Sequence, residues 1–147
     1  MKFVKLFLIL VTFSWGTTLT AQLKETVHQT FEIDEAQSIN LDIAGDYEIV
    51  KWAGNTLMSK TYIELSDAKP SILNYYLKEG RYELEGKASG ESFSLVAKDK
   101  VRRAIQFKDL TCYEYTNVVI YVPDDFVETS KTSLTRQSED QADASID

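Results

Sequence analysis

Residues Ile39 to Leu65 constrain the chain more than any other stretch, because they hold three alternating apolar runs separated by two turn signals. Ile39, Leu41 and Ile43 alternate with Asn40 and Asp42, the period of a half-buried strand. Ala44-Gly45-Asp46 breaks the run, and Tyr47, Ile49 and Val50 resume it as far as Trp52. Gly54-Asn55 offers the positive-φ chemistry of a two-residue hairpin, and Leu57, Ser59, Thr61, Ile63 and Leu65 continue beyond it. The pattern predicts a β-meander, three strands each paired with the next.

The first residues carry a different signal. Lys2 and Lys5 precede an apolar run from Leu6 to Phe13, and Ser14 to Ala21 is mostly small and polar. That order is the order of a secretory signal peptide. The apolar run is shorter than the roughly 20 residues a bilayer-spanning helix needs. Residues 1–21 are therefore expected to be a leader, cleaved after Ala21, with no transmembrane segment left in the mature chain. No cysteine stands near the cut, which argues against a lipid anchor there. Cleavage removes two lysines and no acid, so 14 basic against 23 acidic residues give a mature charge of −9. Such a surface repels nucleic acid and anionic lipid. The single cysteine, Cys112, rules out an internal disulfide, and burial in a strand is its expected fate.

The remaining residues divide into a β domain over 22–127 and an acidic tail over 128–147. Gln22 to Gln29 reads as a polar lead-in, with Val27, Phe31 and Ile33 on one face of a first strand. Pro70, then Ile72, Leu73, Tyr76 and Leu77 at helical spacing, then Gly80, predict one short helix over 70–79. Arg81 to Glu85 alternates as a strand, Gly86 to Gly90 reads as a turn, and Phe93, Leu95 and Ala97 form the next strand. Lys98-Asp99-Lys100 reads as a hairpin tip with Val101, Arg103, Ile105 and Phe107 as its return. Val118 to Val122 is apolar on both faces, as a central strand is. Glu128 to Asp147 holds few large apolar residues, Leu134 and Ile146 among them, and is expected to be disordered. The fold class that follows is mainly β: an antiparallel β-sandwich or curled sheet carrying one short helix.

Catalytic chemistry finds little support. His28 is the only histidine and lies in the lead-in, so a serine triad or histidine-ligated zinc has no second imidazole to draw on. The glycines stand singly, as turn punctuation, and form no phosphate loop. Glu83 and Glu85 share a strand face about 7 Å apart, a spacing open to carboxylate pairs, but Arg81 and Lys87 flank them as on a solvated surface. Asp42, Asp46, Asp124 and Asp125 could give oxygens to calcium only if separate turns converged. The chain is therefore expected to have no enzymatic activity, no cofactor and no metal.

Binding features are more numerous. Lys98, Lys100, Arg102 and Arg103 form the one basic cluster of an acidic protein, a candidate contact for an anionic ligand, with solvated charge on an edge strand as the plain alternative. Eight tyrosines, among them Tyr75, Tyr76, Tyr113, Tyr115 and Tyr121, adjoin apolar positions and suit a carbohydrate or protein contact face.

The runs Ile39 to Ile49 and Lys51-Trp52-Ala53-Gly54-Asn55, followed by the strand Val118 to Val122 ending at Pro123, resemble bacterial exported adhesin-like proteins of unknown function. The resemblance covers about Phe31 to Phe126. It implies a strand-rich leading module of the kind that precedes a β-solenoid, although no solenoid rungs follow here. It carries no catalytic residues. The expectation is a non-catalytic binding or adhesion module of the envelope, in the periplasm or at the cell surface, with a glycan or protein partner. The alternative is a small-ligand or lipid carrier with a β-barrel-like cavity.

Overall fold

The computed structural model describes residues 22–33, 35–107 and 109–137. The expected leader, residues 1–21, lies outside them. Ten strands and one helix follow in order: β1 Leu23–Glu32, β2 Ser38–Asp42, β3 Tyr47–Trp52, β4 Thr56–Ser66, α1 Pro70–Lys78, β5 Leu84–Ser89, β6 Ser92–Ala97, β7 Ile105–Phe107, β8 Leu110–Pro123, β9 Phe126–Ser130 and β10 Ser133–Arg136. They build two five-stranded sheets. Sheet A runs β1-β4-β8-β3, with the short β7 also on β8, and sheet B runs β5-β6-β2-β10-β9. Both are open rather than closed into a barrel, and the molecule is mainly β with one short helix, as expected.

The three strands of the Ile39–Leu65 stretch form, but not as a meander. β2 belongs to sheet B, between β6 and β10. β3 and β4 both belong to sheet A but do not touch, because β8 lies between them, parallel to β3 and antiparallel to β4. A strand with apolar side chains on both faces outcompetes the local hairpin, since only a central position covers both of its faces. The Ala53-Gly54-Asn55 connection accordingly has no positive-φ residue; those are Gly45, Gly80, Gly90 and Asp67. β2 and β6 are also parallel, so both sheets are mixed.

Three further expectations are corrected. The polar lead-in is strand: β1 begins at Leu23 and pairs with β4 without interruption to Glu32. Gly86 lies inside β5, and the turn to β6 is Gly90-Glu91 alone, with Gly90 at φ 59°. The tail expected to be disordered over 128–147 is ordered through Gln137, because β9 pairs with β10 and β10 with β2. One residue accounts for this. Leu134 is fully buried among Ile39, Leu41 and Phe126, and its burial anchors a segment whose other side chains are polar. Residues 138–147 lie outside the described set.

Two apolar clusters hold the body together. Ile39, Leu41, Phe93, Leu95 and Leu134 of sheet B face Leu57, Val118, Ile120 and Val122 of sheet A. β4 and β8 are the longest strands and run on past sheet B. There α1 covers them: Leu73 joins Ile63, Leu65, Tyr82, Ile105 and Cys112 in a second cluster. Cys112 is buried as expected, its thiol donating to the Asp67 carbonyl at 3.3 Å, and burial pushes its pKa up.

Candidate functional site

The predicted basic cluster does not converge on one hairpin face. β6 pairs with β5 and β2, and the chain then crosses to sheet A, so residues 98–104 are a crossover rather than a hairpin tip. Lys98 bonds Glu83 at 2.9 Å, and Lys100 pairs with Asp42. Arg102 donates to the Thr116 hydroxyl at 2.6 Å and lies over the Tyr82 ring. Arg103 is exposed and contributes its carbonyl to Arg81. Glu83 and Glu85 do not share a strand, since Glu83 precedes β5, and Glu85 stands 3.6 Å from Lys87. Among the described residues, no three His, Cys, Asp or Glu side chains gather as metal ligands.

Beside the crossover lies a polar cluster absent from the sequence reading. α1 ends in a Schellman turn: Gly80 at φ 72° donates to the Leu77 carbonyl, and Arg81 N–H donates to the Tyr76 carbonyl. The turn aims Arg81 inward, where it is 6% exposed. Its guanidinium makes two bonds to Glu114, both 2.9 Å, meets Asp99 at 3.2 Å and the Arg103 carbonyl at 2.7 Å, and stacks over Tyr76. Burial pushes the Glu114 carboxyl up, but Arg81 and the Tyr82 hydroxyl more than offset this and leave it below the usual carboxylate range. Tyr82 is raised, first by its own burial and then by the Glu114 carboxylate. The Arg81 guanidinium is matched by Glu114 and Asp99 within the chain. The cluster ties α1, the crossover and β8 together and presents no reactive group to solvent.

The outer faces of the two sheets differ sharply. Sheet B's is lined with small polar groups: Ser38 and Asn40 both bond Ser92, and Ser133 bonds Asn40. Sheet A's carries aromatics. In β8 the alternation sends Cys112, Glu114, Thr116 and Val118 inward and Tyr113, Tyr115, Asn117 and Tyr121 outward. Tyr113 is 69% exposed, Tyr115 62% and Tyr62 37%. Register places Tyr113 opposite Ser66, Tyr115 opposite Glu64 and Tyr62 opposite Asn117. Tyr113 and Tyr115 stand about 7 Å apart along the strand. Lys60 lies 4.9 Å over the Tyr62 ring and holds it at one side. The arrangement offers flat apolar ring faces with an amide and a hydroxyl between them, and with the Glu64 carboxylate, which already accepts from Gln22 and pairs with Lys24, both at 2.7 Å.

Of the tyrosines singled out in the sequence, Tyr113, Tyr115 and Tyr121 lie on this face. Tyr75 and Tyr76 pack edge to face on α1 instead, beside a shallow apolar groove of about 340 Å³ against β7. Tyr62 was missed, because Lys60-Thr61-Tyr62 gives no sign of which side faces out until β4 is paired. Comparison with known proteins finds no matching family model, no similar characterised protein and no similar solved structure.

Proposed function

We propose that this chain is a non-catalytic binding module of the bacterial envelope, in the periplasm or at the cell surface, that holds a neutral glycan on the outer face of sheet A. One observation carries the reading: Tyr62, Tyr113 and Tyr115 stand open on one sheet face, with Glu64, Ser66 and Asn117 among them. A row of exposed aromatics costs solvation without stabilising the core, and tyrosine is the side chain that joins a rigid apolar ring to a polar tip. Sugar rings present C–H faces that stack on such rings and hydroxyls that need acceptors and donors nearby. The mature charge of −9 disfavours polyanions and leaves neutral glycans as the matching class. The leader read in residues 1–21 and the resemblance to exported adhesin-like proteins support the same location.

Binding to a panel of neutral envelope and extracellular polysaccharides tests the reading. Tyr115→Ala and Tyr113→Ala are expected to weaken retention about tenfold each, at unchanged circular dichroism, as loss of one aromatic anchor does. Retention of a glycan that survives both substitutions overturns the assignment to this face. Absence of binding across the panel, with a protein captured instead through the same tyrosines, replaces the glycan with a protein partner.

A further inference from the structure

Among the described residues, the longest open edge is β1. It is an edge strand of sheet A, ten residues long, uninterrupted in register and free of proline. Among the described residues, no backbone bond outside the β1–β4 ladder involves it. Natural edges are blunted by shortness, bulges, proline or charge; β1 has no bulge and no proline, and its charges are Lys24 and Glu32 on the outer face and Glu25 on the inner one. Sheet B's edge at β5 is shorter, and the Leu84 backbone there already bonds the Gln29 amide in both directions, at 2.8 and 2.9 Å.

The large apolar residues of β1 are also spaced symmetrically about Val27. The strand's inward residues read Leu23, Glu25, Val27, Gln29 and Phe31. Leu23 and Val27 pack on the cluster under α1 and Phe31 on the inter-sheet core, yet all three are only half-buried. A second copy related by a two-fold axis through Val27 pairs Leu23 with Phe31 twice and Val27 with itself. It also sets Glu25 opposite a neutral amide. On the outer face the same register sets Lys24 opposite Thr30 and Thr26 opposite His28, so no like charges meet. Shifting the axis to His28 opposes Lys24 to Glu32 but places Glu25 against Phe31. Exposed ion pairs contribute little, whereas covering half-open Leu, Val and Phe side chains contributes more, so the Val27 register wins. Axes midway between residues are excluded, because they turn one copy's inner face outward.

We infer that two copies of this chain join β1 to β1 in antiparallel fashion, centred on Val27, and make one sheet from their two A sheets. The interface does not depend on what the tyrosines bind. Its consequence draws on that reading: both tyrosine rows lie on one continuous face, five strand spacings or about 24 Å apart. Two rows on one repetitive polymer multiply retention by avidity rather than by new contacts.

Sedimentation of the mature chain at micromolar concentration is expected to show a monomer–dimer equilibrium. Thr30→Lys, which creates two lysine–lysine oppositions across the two-fold, is expected to weaken the dimer about tenfold, whereas Thr30→Glu, which sets a carboxylate against the partner copy's lysine at the same place, is expected to tighten it. Oxidation of a Thr26→Cys chain mixed with a His28→Cys chain is expected to crosslink the two together, while each alone stays uncrosslinked, because only opposed residues come within disulfide reach. A monomer at every concentration overturns the inference. A dimer indifferent to Thr30→Lys, or one in which each cysteine variant crosslinks to itself, overturns this register. Glycan binding by a strictly monomeric chain removes the dimer and leaves the tyrosine face standing.

Discussion

Arg81 is the residue on which the lower half of the molecule turns. Among the described residues it is the one basic side chain held almost wholly inside, and it makes two of its bonds to Glu114. Removing one partner of a buried pair strands the other, and the cost is about 3–5 kcal/mol. Arg81→Met is therefore expected to lower the unfolding free energy by that amount, read as a lower urea midpoint at unchanged m-value. Arg81→Met combined with Glu114→Leu is expected to recover more than half of the loss, because two apolar side chains need no counter-charge. The same pair sets an acid limit. The Glu114 carboxyl is lower in the folded than in the unfolded chain, so it contributes stability above the unfolded value of about 4.3. That contribution disappears as pH falls through the folded value, and Glu114→Gln is expected to flatten the slope of stability as pH falls below the unfolded value.

At the scale of elements, β10 shows how little apolar content a strand requires when its neighbour supplies the surface. Leu134→Ala is expected to cost about 2–5 kcal/mol in urea unfolding, the range for a fully buried leucine. A disordered tail would leave the midpoint unchanged. This strand was illegible in the sequence because one leucine among Ser, Thr and Arg gives no period to count. The helix was legible to within one residue, since Pro70 and Gly80 mark its ends and the stripe between them has only one side to bury. β2, β3, β4, β6 and β8 were legible as strands for the same local reason. Their partners were not. Alternation states which side chains share a face and is silent on which strand lies alongside, so the meander and the hairpin at Lys98 to Lys100 were natural local readings that long-range pairing replaced. The tyrosine face was half legible: Tyr113, Tyr115 and Tyr121 alternate visibly, but their outward direction follows only once Cys112, Val118 and Ile120 are seen to point into the core.

Over the whole molecule, the chain interleaves its sheets. Sheet A needs strands from Leu23 through Pro123, and sheet B needs strands from Ser38 through Arg136. The two parallel pairs, β2 with β6 and β3 with β8, each bring together segments far apart in sequence. Such pairings form slowly, because loop closure comes before any reward in contacts. Refolding from urea is expected to take milliseconds to seconds, and β8 substitutions such as Ile120→Val are expected to change the unfolding rate more than the folding rate. Stopped-flow fluorescence of Trp52, the only tryptophan among the described residues, reads both rates.

The insertion of β8 between β3 and β4 reaches into the order in which such a polypeptide can fold. Until the residues after Tyr113 arrive, the two earlier strands have nothing between them, and no shorter piece owns a finished sheet. A growing chain of this design completes neither sheet before the strands between Leu110 and Arg136 have been made. It locks only when its far end has followed.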